Sequence, residues 1–493
     1  MIQTTSDLVT EVINKVRQTI KKHDMIRAGD LVICAVSGGP DSMCLLDSLL
    51  CLSRELDFTI HVGHLHHHMR GEQADKDAEI VAEFCRSRNV PVTIGHAQVF
   101  DLAQELGVGV EEAGRIARYQ FLFDLSQEVG GSKIAVGHNM NDQAETVIMR
   151  LVRGAGTQGL AGIPPVKGEI IRPIIYIPRD EIEEYCRIKG LPVITDIYNF
   201  DLAYTRNLVR HKIIPEMKEL FNPSIVEVLS QTAEVLRWDA EYLEHVADCA
   251  FKRISFKEGR MTFVDEGDLA KLPKAISSRV LESAWRECAE QTENLHIRHV
   301  IRLLDENEST LTLPGGVIAH KHDGYIGFYP PPPEDLDVPI QVPGITVIPE
   351  LGISVKTRVF DKPDGFIQED GRIADHAVEG ANSFNSAFTV ELKALADYNI
   401  CGDVIRVRTR KPGDRFKPLG MDGKEKKLQD FLVSAGISRY YRNFIPIFVS
   451  GEKIVWVGGF RLDEEFKVTE DTLKILEITI EPLLRQRQNC ANI

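Results

Sequence analysis

The sequence predicts an α/β protein: a doubly wound parallel sheet, followed by a mainly helical domain and a small α+β C-terminal domain. Three observations predict it. Strand-like apolar runs alternate with amphipathic helical patterns through the first two hundred residues. A glycine turn, Ser37-Gly38-Gly39-Pro40-Asp41-Ser42, joins the first of those runs directly to a helix. After Asn222-Pro223 the pattern becomes helical, and after Pro330–Pro333 it breaks into short β-like runs among Gly and Pro. Domains are expected at 1–216, 222–333 and 340–482, with a first linker near 212–224 and the acidic Pro-rich run as a second boundary. A chain of 493 residues is longer than one hydrophobic core usually serves.

The elements follow in order. Leu8, Val12, Ile13, Val16 and Ile20 share one face of a helix over 7–23. Leu31–Val36 reads as a buried strand, and Met43, Leu45, Leu46, Leu49 and Leu50 mark the helix after the glycine turn. A strand over 58–65 runs into His64-Leu65-His66-His67-His68-Met69-Arg70. A helix over 72–88 buries Ala74, Ala78, Val81, Phe84 and Cys85, and Val90–Ile94 is a third strand. The helix from Val110 has Ile116, Ala117 and Phe123 as expected core contacts, with Glu111 and Arg115 paired at i,i+4. A strand at Lys133–Gly137, a helix at Arg179–Lys189 and a short helix around Arg206 complete the first domain. In the second, a long helix presents Ile225, Val228, Leu229, Thr232, Leu236, Leu243 and Val246. Helices near 273–290 and 293–307 and a hairpin at Asp323-Gly324 follow.

Composition excludes several classes. With 43% hydrophobic and 27% charged residues the chain reads as an ordinary globular protein. No apolar run of about 18 residues is present, so no membrane span is expected. The N-terminus lacks a signal-peptide pattern, which predicts a cytoplasmic protein. Nine cysteines without a Cys-x-x-Cys pair suit reduced thiols and argue against an iron–sulfur cluster or zinc ribbon.

Chemistry concentrates where strands end. Two glycines let backbone amides approach an anion, and the helix that starts at the turn adds positive potential. No Gly-Lys-Ser/Thr follows, so this is not a Walker A loop. The histidines at 64–68 could hold a metal, but no carboxylate or cysteine stands at ligand spacing; the polar end of a strand facing a nucleotide crevice is the better reading. His138, Asn139, Asn141, Asp142 and Glu145 gather at another strand-to-helix junction. Asp142 and Glu145 project from one helix face; beside nucleotide phosphates they suit Mg²⁺, and otherwise they cap a helix start. Arg206 and Arg210 share a helix face and suit phosphate or a charged leaving group.

The formal net charge of −15 does not advertise RNA binding. Yet between Arg406 and Arg442 eleven Lys/Arg face four acids, with Phe416, Tyr440 and Tyr441 interleaved. Arg406, Arg408, Arg410, Lys411, Arg415 and Lys417 therefore read as an RNA-backbone contact surface, against the plainer alternative of a solvated basic face.

The Ser37–Ser42 turn resembles the pyrophosphate-binding loop of the N-type ATP pyrophosphatases, which makes the first domain a PP-loop ATPase domain. Taken with His64–Arg70, Glu111, Arg115-x-x-Arg118-Tyr119, Asp142-Gln143-Ala144-Glu145-Thr146, Met149-Arg150-Leu151 and Arg206-Asn207-Leu208-Val209-Arg210, the first 215 residues resemble the tRNA(Ile)-lysidine synthetase family. Lys411–Arg415 matches that family's Lys-Pro-Gly-Asp-Arg pattern. Asn139, Asn141 and Asp196-Ile197-Tyr198-Asn199 depart from it. The resemblance implies an ATP-dependent ligase that adenylates the C2 oxygen of the wobble cytidine in CAU-anticodon tRNA(Ile), releasing pyrophosphate. L-lysine then attacks C2 and AMP leaves. The implied cofactors are ATP as co-substrate and Mg²⁺ on Asp41, Asp142 and Glu145. The implied catalytic set is Asp41, His138, Asp142, Glu145, Arg115, Arg206 and Arg210, with Ser37, Gly38, Gly39, Pro40, Asp41 and Ser42 holding the nucleotide. Glu111, Arg118 and Asn207 would contact substrate, and a homodimer is the oligomer the family suggests. A cytidine thiolase would need paired cysteines, an amidotransferase-coupled synthetase a glutaminase domain, and a catalytically lost tRNA-binding relative would not need the acidic and arginine pairs.

Overall fold

Leu31–Ala35 (β1) is apolar on both faces because both faces are covered. Val32 and Cys34 pack into one buried cluster and Ile33 into another, the alternation that a strand imposes. The computed structural model describes residues 5–66, 72–194, 205–289, 297–304, 309–333, 335–363, 366, 392–421 and 423–483. The chain forms two compact units, 1–241 and 242–493.

In the first unit, α1 (Thr5–Lys22) precedes β1, and α2 (Pro40–Ser53), β2 (Thr59–His66), α3 (Glu72–Ser87) and β3 (Val92–His96) follow. Next come α4 (Val99–Leu106), α5 (Val110–Val129), β4 (Lys133–Ala135), α6 (Met140–Val152), α7 (Thr157–Leu160), β5 (Val166–Lys167), β6 (Ile170–Ile171) and α8 (Arg179–Lys189). The sheet order is β3-β2-β1-β4-β6-β5, parallel except for the β5–β6 edge. Order reverses between β1 and β4, and ligands bind at such a switch point, beyond the strands' carboxyl ends. The expected doubly wound sheet is present. Val12, Val16 and Ile20 of α1 are buried as expected.

Helix α5 packs by a different face from the one expected. Ala113, Leu122 and Leu125 are buried, Phe123 is half-buried, and Ile116 is exposed. Glycines on the sheet decide this. A Cβ at Gly63 would lie 2.9 Å from Leu122, and one at Gly95 would lie 2.4 Å from Phe121. The helix settles where β2 and β3 have no side chains. Arg115 likewise pairs with Glu112, not Glu111, at 2.6 Å.

After α8 come α9 (Thr205–Leu208), a π-helical turn over Val209–Ile213, α10 (Ile214–Leu220) and α11 (Ile225–Ile254). The buried stripe of α11 is Val226, Ser230, Ala233, Arg237, Ala240, Ala247, Ala250 and Ile254, whereas Val228 is exposed. Small residues and one arginine make the contact, so an apolar template shifts the face. Arg237 donates to the carbonyls of Ala161 and Ile163 at 2.7 and 3.0 Å, which explains a buried guanidinium.

The second unit carries helices α12 (Glu266–Ala270), α13 (Lys274–Cys288) and α14 (Ile297–Leu304) against a five-stranded antiparallel sheet. Its strands are β7 (Ser255–Glu258), β8 (Met261–Asp265), β9 (Thr310–Thr312), β10 (Ile318–His322) and β11 (Tyr325–Tyr329). The β10–β11 hairpin turns at Asp323-Gly324, both at positive φ. The strands β7 and β8 add to what the helical pattern announced. Further on, one sheet contains β12 (Asp337–Ile340), β16 (Ile405–Arg408), β19 (Ile447–Ser450), β20 (Lys453–Val457) and β21 (Arg461–Leu462). A second contains β13 (Gly344–Ile348), β14 (Ile353–Asp361), β15 (Leu392–Asp397) and β22 (Lys474–Pro482), and β17 (Arg415–Phe416) pairs with β18 (Lys426–Lys427). No described helix is long and apolar enough to cross a membrane.

Candidate active site

The glycine turn lies beyond β1 and opens α2. Gly38 has φ +88°, which an L-residue rarely adopts, and a Cβ there would lie 2.2 Å from Ile194. Ser42 organises the turn. Its hydroxyl accepts from the amides of Ser37 and Gly38 at 3.2 and 3.1 Å and donates to the Gly39 carbonyl at 2.9 Å. Those two amides are therefore engaged within the turn, and the positive end of α2, starting at Pro40, is the anion-attracting element. Beyond β4, Gly137 lets the second junction close on the first: a Cβ there would stand 3.3 Å from backbone atoms of Asp41 and Ser42.

Helix α6 starts with a capping box. Asn139 Oδ1 accepts from the Asp142 amide at 3.1 Å, and Asp142 Oδ2 accepts from the Asn139 amide at 3.0 Å. Asn139 Nδ2 also donates to Asp41 Oδ1 at 2.7 Å, tying the two junctions together. Glu145 is fully buried one turn on. Arg206 Nε reaches Glu145 Oε2 at 2.7 Å, and Arg210 Nε reaches Glu145 Oε1 at 2.6 Å. Both guanidiniums also touch Asp142 Oδ1, at 3.0 and 3.2 Å. The π-helical turn supplies Arg210, and such widened turns are frequent at functional sites.

A cavity of about 1590 Å³ joins these parts. Ser37, Gly39–Ser42, His64–His66, Glu111, Arg118, His138, Asp142, Arg179, Arg206, Asn207 and Arg210 line it. A small-molecule pocket measures about 300–1,000 Å³, so this cavity has room for a nucleotide and a second substrate.

Charges in the cavity are strongly biased. Burial pushes Asp41 up to about 6, Asp142 pushes the same way, and Arg179 at 3.7 Å opposes. Burial also works to raise Asp142, but Arg206, His138 and the Asn139 amide outweigh it and hold the carboxyl below its usual range. His138 is pushed down to about 4, first by burial and then by Arg172, Arg206 and Arg118, against the pull of Asp142. At neutral pH it is an uncharged imidazole.

For Mg²⁺ the donor set fits in part. Asp41 and Asp142 both line the cavity, and a cation completed by phosphate oxygens would relieve Asp41, which burial and then Asp142 push up, although Asp142 also serves Arg206, Arg210 and the Asn139 amide. Glu145 does not fit. It is absent from the cavity wall, its side chain is 1% exposed and both its oxygens are taken by guanidiniums, which corrects the expectation that it holds the metal. Among the described residues no group of three His, Cys, Asp or Glu is arranged to hold a metal ion.

Comparison with known proteins now decides the family. The PP-loop domain family matches residues 8–217, and a family described as the TilS substrate C-terminal domain matches 405–478. A tRNA(Ile)-lysidine synthase from Caldanaerobacter subterraneus subsp. tengcongensis is 36% identical over 474 residues, 95% of this chain and 97% of that one. The chain belongs to the tRNA(Ile)-lysidine synthase family, whose members are PP-loop ATP-dependent ligases. Another member, from Clostridium acetobutylicum, is 33% identical across 95% of this chain and 99% of its own length. Among solved structures, the U34-tRNA thiolase NcsA from Methanococcus maripaludis overlays 47% of this chain and 80% of its own at TM-score 0.40 and 20% identity.

Set against the family reading, Asp41, His138, Asp142, Arg206 and Arg210 converge on one cavity, with Glu145 directly behind it. Arg115 does not join them. It is 58% exposed, pairs with Glu112 and stacks on Tyr119, so its expected catalytic place is corrected to a surface one; Glu111 and Arg118 from the same helix do line the cavity. His64 is buried with Nδ1 2.8 Å from the Val36 carbonyl, and His66 Nε2 lies 3.2 Å from Asp75. His67, His68, Met69, Arg70 and the Asp196–Asn199 stretch lie outside the described residues.

In the second unit Arg408 is 6% exposed and forks onto Asp414 at 2.8 and 2.9 Å. It holds the β16 end to the Lys411–Arg415 turn and is corrected from RNA contact to structural brace. Arg406 pairs with Asp337, Arg410 with Asn443, Arg415 with Glu425 and Lys417 with Glu465. Lys411 and Arg415 remain exposed.

Two working residues, Gly137 and Arg172, escaped sequence reasoning, and two named at the junction, Asn139 and Asn141, take roles it did not assign. Asn139 links the junctions. Asn141 Oδ1 accepts from the Arg179 amide at 3.0 Å and so places Arg179 over Asp41. Gly137 makes room, and Arg172 binds His138. Only the Asn-x-x-Asp spacing of the capping box was visible as a signal.

Proposed function

We propose that this chain joins L-lysine to C2 of the wobble cytidine of CAU-anticodon tRNA(Ile), giving lysidine and changing decoding from AUG to AUA. The cytidine C2 oxygen attacks the α-phosphorus of ATP, the bond to the β-phosphate oxygen breaks, and pyrophosphate leaves. The lysine ε-amine then attacks C2, and AMP departs with that oxygen. One observation carries this reading: in a member of this family, the glycine turn, Asp142, Arg206 and Arg210 line one cavity, with Glu145 bonded to both arginines behind it.

The residues divide the work. The start of α2 attracts the polyphosphate, and the turn braced by Ser42 shapes its seat. Arg206 and Arg210, held by Glu145, offset negative charge that grows at the phosphates. Asp41 and Asp142 would hold Mg²⁺, which when bound neutralises phosphate charge. The wobble base must be splayed from its loop to enter such a cavity. Exposed cations such as Lys411 and Arg415 would hold RNA backbone, the three domains at 1–216, 222–333 and 340–482 would act in one cytoplasmic enzyme, and a homodimer is compatible with that work.

The test is incorporation of labelled lysine into CAU-anticodon tRNA(Ile) with ATP, using initiator methionine tRNA as control. Label in the isoleucine tRNA alone is expected; no label sinks the reading. Asp41→Ala is expected to stop pyrophosphate release while tRNA binding persists.

A further inference from the structure

Arg172 follows β6 and is only 5% exposed, yet it was no part of the expected catalytic set. Two hydrogen bonds anchor its guanidinium. Nε donates to His138 Nδ1 at 3.3 Å, and Nη1 donates to the Pro164 carbonyl at 2.7 Å. Tyr119 of α5 lies close to it. The end of β6 and the loop before Pro164 thus meet at the nitrogen edge of His138, which itself lines the cavity.

Donor chemistry settles the ring's state. A guanidinium has N–H groups and no acceptor, so the ring nitrogen it touches must carry a lone pair. A neutral imidazole has one N–H, which therefore sits on Nε2. An imidazolium would set N–H against N–H beside a cation. Together with Arg172, the charged groups that act on the ring are Asp142, Arg206 and Arg118, three cations against one carboxylate.

We infer that Arg172 is a positioning residue that fixes His138 as the Nε2–H tautomer, so that His138 serves the reaction as a hydrogen-bond donor to a substrate oxygen. The inference deepens the proposed ligase reading and rests on it for the identity of that oxygen. A ring fixed in this state has its one nitrogen lone pair engaged by Arg172. It cannot take the proton from the lysine amine, and it is ready to bond an oxygen on which negative charge grows. Its donor is oriented before substrate arrives, because the buried guanidinium is itself held by the Pro164 carbonyl.

The test is a long-range proton–nitrogen spectrum of the full-length chain labelled with nitrogen-15 histidine, with His138 identified by the signals lost in His138→Gln. The expected result is a pyridine-type Nδ1 and a pyrrole-type Nε2. Arg172→Met is expected to give mixed tautomers and to lower kcat for lysidine formation at least about tenfold, while KM for ATP changes less than about twofold. Arg172→Lys, which keeps one donor, is expected to recover part of kcat. A proton on Nδ1 in the wild-type chain overturns the inference, as does Arg172→Met with a single Nε2–H tautomer and undiminished kcat. If Arg172→Met does not fold, the wild-type spectrum still decides. A wild-type chain that makes no lysidine would refute the function reading, and the spectrum would still report the tautomer.

Discussion

Arg210 Nε donates to Glu145 Oε1 at 2.6 Å, and this bond fixes what the acidic pair can do. Glu145 spends both oxygens on Arg206 and Arg210, so those cations are held toward Asp142 and the cavity. Removing the charge of the fully buried Glu145 leaves two part-buried guanidiniums without a full partner, at a cost of about 1–3 kcal/mol. Glu145→Gln is therefore expected to lower the melting temperature and kcat together. The Mg²⁺ concentration that half-saturates pyrophosphate release should stay as in wild type. A several-fold rise in that concentration would put Glu145 on the metal after all.

The glycine turn makes a second prediction. Gly38 is held at φ +88° with Ile194 over it, and the Ile194 amide donates to the Gly38 carbonyl at 2.9 Å. Gly38→Ala incurs backbone strain of roughly 1–2 kcal/mol and forces the Ile194 side chain away. Stability in urea should fall by about that amount, and KM for ATP should rise. Gly39→Ala, with nothing but Ser37 Oγ at 3.7 Å, is the control and should stay near wild type in stability.

The basic stretch divides into a brace and a surface. Arg408 is buried on Asp414, so Arg408→Ala should destabilise by about 3–5 kcal/mol and weaken RNA binding only through unfolding. Lys411→Ala should leave the melting temperature within about a degree or two. It should reduce the salt slope of tRNA binding by about one counterion. An unchanged slope in Lys411→Ala and Arg415→Ala together would remove this face from the RNA contact.

What could be read beforehand was local, and what could not was packing. The strand, glycine turn and helix at Leu31–Leu50 are visible because their residues specify conformation without help from elsewhere. Asp142, Glu145, Arg206 and Arg210 were recognisable as functional types. Their division into Asp142, lining the cavity, and Glu145, behind it, depends on how α6 is rotated against the turn that carries Arg210. Nothing in the spacing of Arg206 and Arg210 announces a π-helical turn. The core face of α5 was misread because the deciding residues, Gly63 and Gly95, lie on other strands. The stripe on α11 was misread because its contacts are alanines, a serine and Arg237, which a hydrophobic template does not weight. Nothing in the sequence around Arg172 marks it for the site; only the folded chain brings His138 to it.

Glu258 supplies the pH prediction. It ends β7 in the second unit, is 1% exposed, and neither carboxyl oxygen has a hydrogen-bond partner among the described residues. Burial pushes the carboxyl up to about 8. The folded state then keeps a proton that the unfolded chain releases in the ordinary glutamate range, so the native state binds more protons between those two values. Stability is unaffected below that window, falls through it by up to about 1.4 kcal/mol per pH unit, and levels off above about pH 8. Glu258→Gln keeps the shape and removes the proton equilibrium. Urea denaturation should therefore show this variant gaining on wild type by a few kcal/mol between about pH 5 and about pH 8.5. Parallel profiles for the two proteins would mean that the Glu258 carboxyl is ionised in the native state and has found a partner.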